Sequence, residues 1–311
     1  MRIQPLHILL ICFSLLLTGL SQSASAQVSA YYIWSQSSSV YTPGVPAGEA
    51  TPASVFDQTW DDDVTVYPLP FAFNYNGTTY PAGTGYIGLD SDGWFTFSNG
   101  VPTMTGTLGG GSWVSISDHT GVYLYGTGNN NGFAGFNGDL NSQNLATFTG
   151  NITSGSATIT AVSSFTNVRI GTRLNASGIP VGAIVIAFNA GAGTITLSAN
   201  ATATAAARTI TPSSSIYAFT RGTAPNRQFV VQWTQTKRYN SPSITGDNFN
   251  FQMILNEGGG VASLQTLQVI YGDVTATNTN NLDMQVGLRG ASSADFNART
   301  SLTSWAATTA A

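Results

Sequence analysis

The chain is 311 residues long, with 42% hydrophobic and 11% aromatic residues, only 8% charged residues and a formal net charge of −4. An average soluble domain carries roughly 25% charged residues, so Ser, Thr, Asn, Gln and Gly have to cover the exposed faces here. That composition leaves no basic patch for nucleic acid and no polybasic segment for anionic lipid, while the aromatic content argues for a packed chain rather than a disordered one.

Arg2 supplies a positive start, residues 6–17 (LHILLICFSLLL) form an apolar run, and Ala24-Ser25-Ala26 completes an A-x-A cleavage site. This is the pattern of a secretory signal peptide over residues 1–26, with a run too short for a comfortable membrane span. Cys12 lies inside the run rather than at its end, which argues against a lipoprotein anchor. It is the single cysteine, so the exported chain has no disulfide, thiolate nucleophile or cysteine-ligated metal. No later apolar stretch reaches membrane length, and the expected location is secreted, at or near the cell surface.

Beyond residue 26 no sustained helical periodicity is found, and turn residues punctuate the whole chain. Residues 64–75 (VTVYPLPFAFNY) read as strand up to Asn76-Gly77, a two-residue hairpin signal, with the return strand starting at Thr78. Short strands over 86–89 and 93–97 are joined by the tight turn Asp90-Ser91-Asp92-Gly93. Residues 126–132 (GTGNNNG) are glycine-rich, but no helix pattern follows, so they read as a loop and not as a phosphate cradle.

From 149 to 212 the composition changes: no Trp, no Tyr and no acidic residue, with Ala, Thr, Ile and Gly in their place. A different composition inside a continuing aromatic strand pattern reads as an inserted unit, the alternative being one long elaborate hairpin. From 215 to 290 four strands follow almost directly from period-two alternation. Phe229, Val231 and Trp233 share one face, with Val230, Gln232 and Thr234 on the other. Phe249, Phe251, Met253 and Leu255 make the next buried face, closed by Gly258-Gly259-Gly260. Leu267, Val269 and Tyr271 repeat the pattern, as do Met284, Val286 and Leu288.

The expected fold is all-β, a discontinuous antiparallel β-sandwich of jelly-roll-like type. Residues 27–148 and 213–311 build it, and 149–212 form a small inserted β domain whose deletion should leave the outer domain folded. The alternating strands are expected to bury one face and leave the other as a neutral outer surface.

Catalytic chemistry is hard to assemble from these residues. His119 is the one histidine after the signal peptide, no G-x-S-x-G elbow occurs, and Glu49 and Glu257 are the only glutamates. Asp61-Asp62-Asp63 and Asp90 with Asp92 concentrate oxygen ligands and are the candidate calcium ligands, against the plainer reading of solvated acidic turns. No other cofactor is expected. Trp34, Trp60, Trp94, Trp113 and Trp305 could stack on neutral sugars. Trp94 and Trp233 lie in strong strand patterns and belong to the core, whereas Trp60 and Trp113 flank loop-like segments and are the binding candidates. The sequons at Asn76, Asn151, Asn175 and Asn200 read as chance products of an Asn/Thr-rich chain.

The phrases LPFAFNYNGTTYPAGTGYIGLDSDGWFTFSNG, GTAPNRQFVVQW, NFQMILNEGGG and VGLRGASSADFNARTSLTSWAATTA resemble the N-terminal β-sandwich domain of surface proteins exported by the type IX secretion system. GTAPNR before the Phe-Val-Val-Gln-Trp strand is the specific part, and the likeness runs from about Tyr31 to Trp305 outside the insertion. More distantly the order of strands is similar to the nidogen-type extracellular domain, with Asp92-Gly93 where that type has Asn-Gly. Gly155-Ser156-Ala157-Thr158-Ile159, Ser177-Gly178-Ile179-Pro180-Val181-Gly182 and Thr194-Ile195-Thr196-Leu197-Ser198 make the insertion similar to small β units of phage tail and bacterial surface proteins. These resemblances imply display outside the cell and no reaction. A sorting domain expected of type IX cargo does not follow, so the chain reads as the front of a longer protein or as one released unanchored. The expected function is a non-catalytic adhesion or binding module for a neutral glycan or a surface protein. A spacer domain within a larger adhesin is the alternative, and a secreted glycoside-active enzyme comes third.

Overall fold

The computed structural model describes residues 28–44, 54–57, 59–61, 63–101, 130–239, 246–276, 284–292, 295–301 and 308–310. A helical turn, α1 (Val28–Tyr31), precedes the strands. The first part of the chain forms β1 (Ser54–Asp57), β2 (Val64–Pro68), β3 (Phe73–Tyr75), β4 (Thr78–Tyr80), β5 (Gly85–Asp90), β6 (Trp94–Asn99), β7 (Gly132–Asn137) and β8 (Leu140–Asn141). The compositionally distinct middle gives β9 (Phe148–Ile152), β10 (Thr158–Ile159), β11 (Arg173–Asn175), β12 (Val185–Asn189), β13 (Thr194–Leu197) and β14 (Ala205–Ser213). The remainder supplies β15 (Ser215–Arg221), β16 (Gln228–Arg238), β17 (Asn248–Asn256), β18 (Thr266–Thr275), β19 (Met284–Arg289), β20 (Phe296–Ser301) and β21 (Thr308–Ala310).

These strands make two large antiparallel sheets. The first runs β1-β15-β16-β17-β18, with β8 also paired to β16; the second runs β2-β5-β6-β7-β19-β20-β21. Their facing sides interdigitate, as in a sandwich. Phe229, Val231, Trp233, Phe249, Phe251, Met253 and Leu255 from the first sheet meet Ile87, Leu89, Phe95, Phe97, Phe133 and Phe136 from the second. Trp233 is fully buried, stacks on Phe251 at 4.6 Å and donates its Nε1–H to Ser91 O across the core at 2.8 Å. The all-β, sandwich-like reading of the sequence holds; Trp233 lies in the main core as expected, and Trp94 is buried as well, but in a small separate cluster with Ala134.

The Asn76-Gly77 hairpin forms as expected, with Asn76 at φ 48° and Gly77 at φ 76°, the positive-φ pair that a two-residue turn requires. The strand expected over 64–75, however, is broken. Pro68 and Pro70 carry no N–H to continue a ladder, so β2 ends at Pro68 and β3 begins at Phe73 in a separate two-stranded hairpin with β4.

The larger departure concerns the outer face of the first sheet. It does not face water. Tyr217, Val230 and Ile254 are fully buried there and cluster with Phe219, Ile270 and Ile184 of the middle segment. Gln232, Thr234 and Gln252 are equally buried. The middle segment folds as two three-stranded sheets, β10-β13-β12 and β11-β14-β9, around its own core of Phe148, Ile159, Val168, Leu174, Ile195 and Ile210. It then lies over the first sheet as a third layer. Gln235, at φ 54° in a bulge of β16, donates its Nε2–H groups to Thr172 Oγ1 (2.7 Å) and Asn167 O (3.1 Å), tying the two layers. A strip of uncharged polar residues between apolar ones suggests a surface in the sequence; in the structure it is a buried interlayer hydrogen-bond network.

Candidate functional site

The GTAPNR phrase forms the connection between β15 and β16, whose pairing closes at Arg221 opposite Gln228. Gly222 takes φ 80°, and Asn226 N–H closes a tight turn on Thr223 O at 2.8 Å. The neighbouring β17–β18 connection starts at Glu257 and passes through two 3-10 turns, over Gly258–Gly260 and Ala262–Leu264. Register brings the two connections side by side, because Gln228 pairs with Asn256.

Arg227 locks them. Its Nε donates to Glu257 Oε2 (2.9 Å) and its Nη2 to Glu257 Oε1 (2.6 Å), a bidentate pair reinforced by the Arg227 amide on Oε2 at 2.9 Å. Nη1 reaches Pro70 O at 3.0 Å, and the guanidinium lies 5.3 Å from the Phe71 ring centroid. The hydrogen bond from Arg227 holds the Glu257 carboxyl below its usual range, and Glu257 in turn raises Arg227. The pair therefore stays ionised and is used for holding turns.

Around this clamp is a shallow depression of 560 Å³ lined by Arg221, Asn226, Arg227, Gln228, Asn256 and Glu257. Its floor is organised by side-chain amides: Gln228 accepts from Arg221 Nε (2.7 Å) and donates to Asn256 Oδ1 (2.5 Å), and Asn256 donates to Thr266 Oγ1 (2.9 Å). Amide donors and acceptors beside a self-neutralised ion pair suit hydrogen bonding to an uncharged polar ligand. No hydroxyl or imidazole lines it, so the lining offers no nucleophile paired with a base.

The residues singled out from sequence fare differently. Trp60 is corrected: it is 3% exposed and packed in the main core, with its backbone hydrogen-bonded to Ser142, so its ring is not offered to a ligand. Trp113, Asp62, Trp305 and His119 lie outside the described residues. Among the described tryptophans the exposed one is Trp34, 42% exposed and capped by Arg299 with its guanidinium 5.6 Å from the ring.

Asp61 and Asp63 lead into β2 beside the β5–β6 turn that carries Asp90 and Asp92. Asp61 is exposed in a bridge to Asn141, and the Asp63 main chain donates its N–H to Ser91 Oγ and accepts the Ser91 amide on its carbonyl. Asp90 Oδ1 accepts the Asp92 amide (3.0 Å), and Asp92 Oδ1 accepts the Leu140 amide (2.9 Å). These carboxylates satisfy turn and strand-start amides. Among the described residues no three acidic, histidine or cysteine side chains converge as a cation cage.

Sequence reasoning passed over Arg227 and Glu257 as sites. The signal was present: the phrase that carried the family likeness and the lone glutamate after a strand stand at the ends of neighbouring strands. Among the described residues no helix is long and apolar enough to cross a membrane. No curated protein and no solved structure matches the chain. A family model described as NIDO related matches residues 147–311, which take in the middle layer and every strand after it. That match spans more than half of the chain, and the protein belongs to the NIDO-related family, which links it to nidogen-like extracellular modules.

Proposed function

We propose that the protein is a non-catalytic extracellular binding module that takes a neutral glycan chain at the GTAPNR end of its first sheet. The observation that supports it is the depression floored by the Gln228–Asn256 amide ladder, in which the one ion pair is already neutralised. Such a floor hydrogen-bonds hydroxyls without demanding a charge. Trp34 is the exposed indole among the described residues but already carries Arg299 over its ring, so the reading rests on the amides and not on aromatic stacking. Export through the 1–26 leader, by the type IX route that the quoted phrases resemble, belongs to the same proposal, as does the likeness of the middle layer to phage-tail units.

The test is a panel of neutral polysaccharides presented to the chain without residues 1–26. Binding of at least one, weakened about tenfold by Asn226→Ala with Asn256→Ala, is expected for the loss of one or two hydrogen bonds. Absence of binding across the panel, or indifference to both substitutions, overturns the glycan reading. One observation favours the spacer reading instead: Arg227 and Glu257 are spent on each other and on Pro70. A chain that binds nothing but loses stability on Glu257→Gln would support it. Turnover of a polysaccharide in the same panel would support an enzyme.

A further inference from the structure

The segment Tyr41-Thr42-Pro43-Gly44 has no secondary structure of its own, yet it is held across the outer face of the first sheet. Its main chain is gripped by side chains from neighbouring strands. Gln252 Nε2 of β17 donates to Thr42 O (2.8 Å), Arg221 Nη1 of β15 donates to the same carbonyl (3.3 Å), and Gly44 N–H donates to Gln232 Oε1 of β16 (2.8 Å). Gln232 and Gln252 are fully buried and hydrogen-bonded to each other at 2.7 Å, so the grip is fixed in advance.

The slot also reads the shape of the segment. A Cβ on Gly272 would stand 2.8 Å from the Tyr41 ring, and one on Gly171, in the middle layer, 2.8 Å from Pro43 Cβ. Gly44 sits at φ 75°, and a Cβ there would collide with Ile184 Cδ1. Tyr41 joins the apolar cluster of Tyr217, Val230, Ile254 and Ile270. Two side-chain donors to a main-chain carbonyl, one side-chain acceptor for a main-chain N–H, an aromatic seat, a proline seat and a glycine exit are the parts of a peptide-binding site. Such sites take affinity from the main chain and selectivity from side-chain pockets.

We propose that this slot, between the outer face of the first sheet and the middle layer, is a binding site for an extended, uncharged Tyr-Thr-Pro-Gly peptide. Its resident ligand is the chain's own segment, held in cis as an exchangeable strap. The claim concerns a different face and ligand from the glycan reading, and the two share only Arg221, which lines the depression and also donates to Thr42 O.

The test uses the chain without residues 1–26, carrying Gly44→Val, in which a β-branched residue cannot hold φ 75° and the strap leaves the slot. The probe is a fluorescent synthetic peptide of residues 38–44, with a scrambled peptide as control. Saturable binding to the Gly44→Val protein is expected, about tenfold or more weaker to the unsubstituted protein, whose slot is already filled. Adding Gln232→Ala and Gln252→Ala should abolish it. If Gly44→Val does not fold, Tyr41→Ala with Pro43→Ala empties the aromatic and proline seats without a clash and is read in the same way. No binding to either folded strap variant, equal binding to substituted and unsubstituted proteins, or equal binding of the scrambled peptide overturns the proposal.

Discussion

Glu257 shows how one side chain can fix two turns. Its carboxylate accepts three bonds from Arg227, and those bonds depress its pKa in the folded state. A group with a lowered folded pKa stabilises fully above its unfolded value, near 4.3 for glutamate, and that contribution fades as the pH falls through the folded value. Glu257→Gln is therefore expected to cost about 1.5–3 kcal/mol at neutral pH, the range for hydrogen bonds to a charged group. The difference from the parent chain should shrink as denaturation is measured at progressively lower pH. An unchanged difference below the carboxylate range would show that the pair's charge is not what holds the turns. Trp233 makes a second case: Trp233→Phe removes the Nε1 bond to Ser91 O and leaves a buried carbonyl one partner short. A loss of about 1–3 kcal/mol in a denaturant melt is expected. Both roles were half visible in the sequence. Periodicity placed Trp233 inside, but neither its partner Ser91 nor the reach of Arg227 across 30 residues to Glu257 is encoded locally. Trp60 follows the same rule, since its loop-like flanks do not say what folds over it.

At the level of strands, alternation separates the two faces of β16, β17 and β18 and does not say what lies against each face. The inner face carries Phe229, Val231 and Trp233, and the outer one carries Val230, Gln232 and Thr234; both are buried. A polar alternate reads as solvent-facing unless a third layer is known to satisfy it. Here Gln232 is met by Thr234, Gln252 and the strap. The consequence falls on the excision of residues 149–212. The ends are close, because Phe148 pairs with Ile210, and the sandwich core of Trp233, Phe251 and Phe95 lies on the far side of the first sheet. Secondary structure and near-ultraviolet signals from that core are expected to survive excision. Tyr217, Phe219, Val230, Ile254 and Ile270 would however lose the cover of Ile184 and Ile186 while keeping that of Tyr41, a partial exposure that costs less at each than the ~1.5–3 kcal/mol of a fully exposed apolar side chain. The excised chain should melt earlier and self-associate, as seen by sedimentation. A monomer with parental stability would mean that the third layer contributes nothing to the sandwich.

Across the whole molecule, layering explains how a chain with 8% charged residues folds and stays specific. Two sheets and a covering layer give the aromatics two interiors, and the uncharged polar residues are split between an internal network and the surface. Of the ion pairs among the described residues, Arg238–Asp247 is buried at 2.7 Å and Arg227–Glu257 is half-enclosed, while Arg169–Asp273 is exposed and long at 3.8 Å. Two of these pairs are thus enclosed, and a chain with 8% charged residues has few charges with which to generate a long-range field. Electrostatic steering raises association rates only where such a field exists, and it is the contribution that salt screens. For any ligand captured at the GTAPNR end, the association rate is expected to change by less than about twofold between 20 mM and 500 mM salt, where steered complexes lose orders of magnitude. Stopped-flow measurements with a labelled ligand would read this directly. A steep fall with salt would mean that a net charge, such as that of Arg221 at the rim or of residues elsewhere, and not the amides, governs capture.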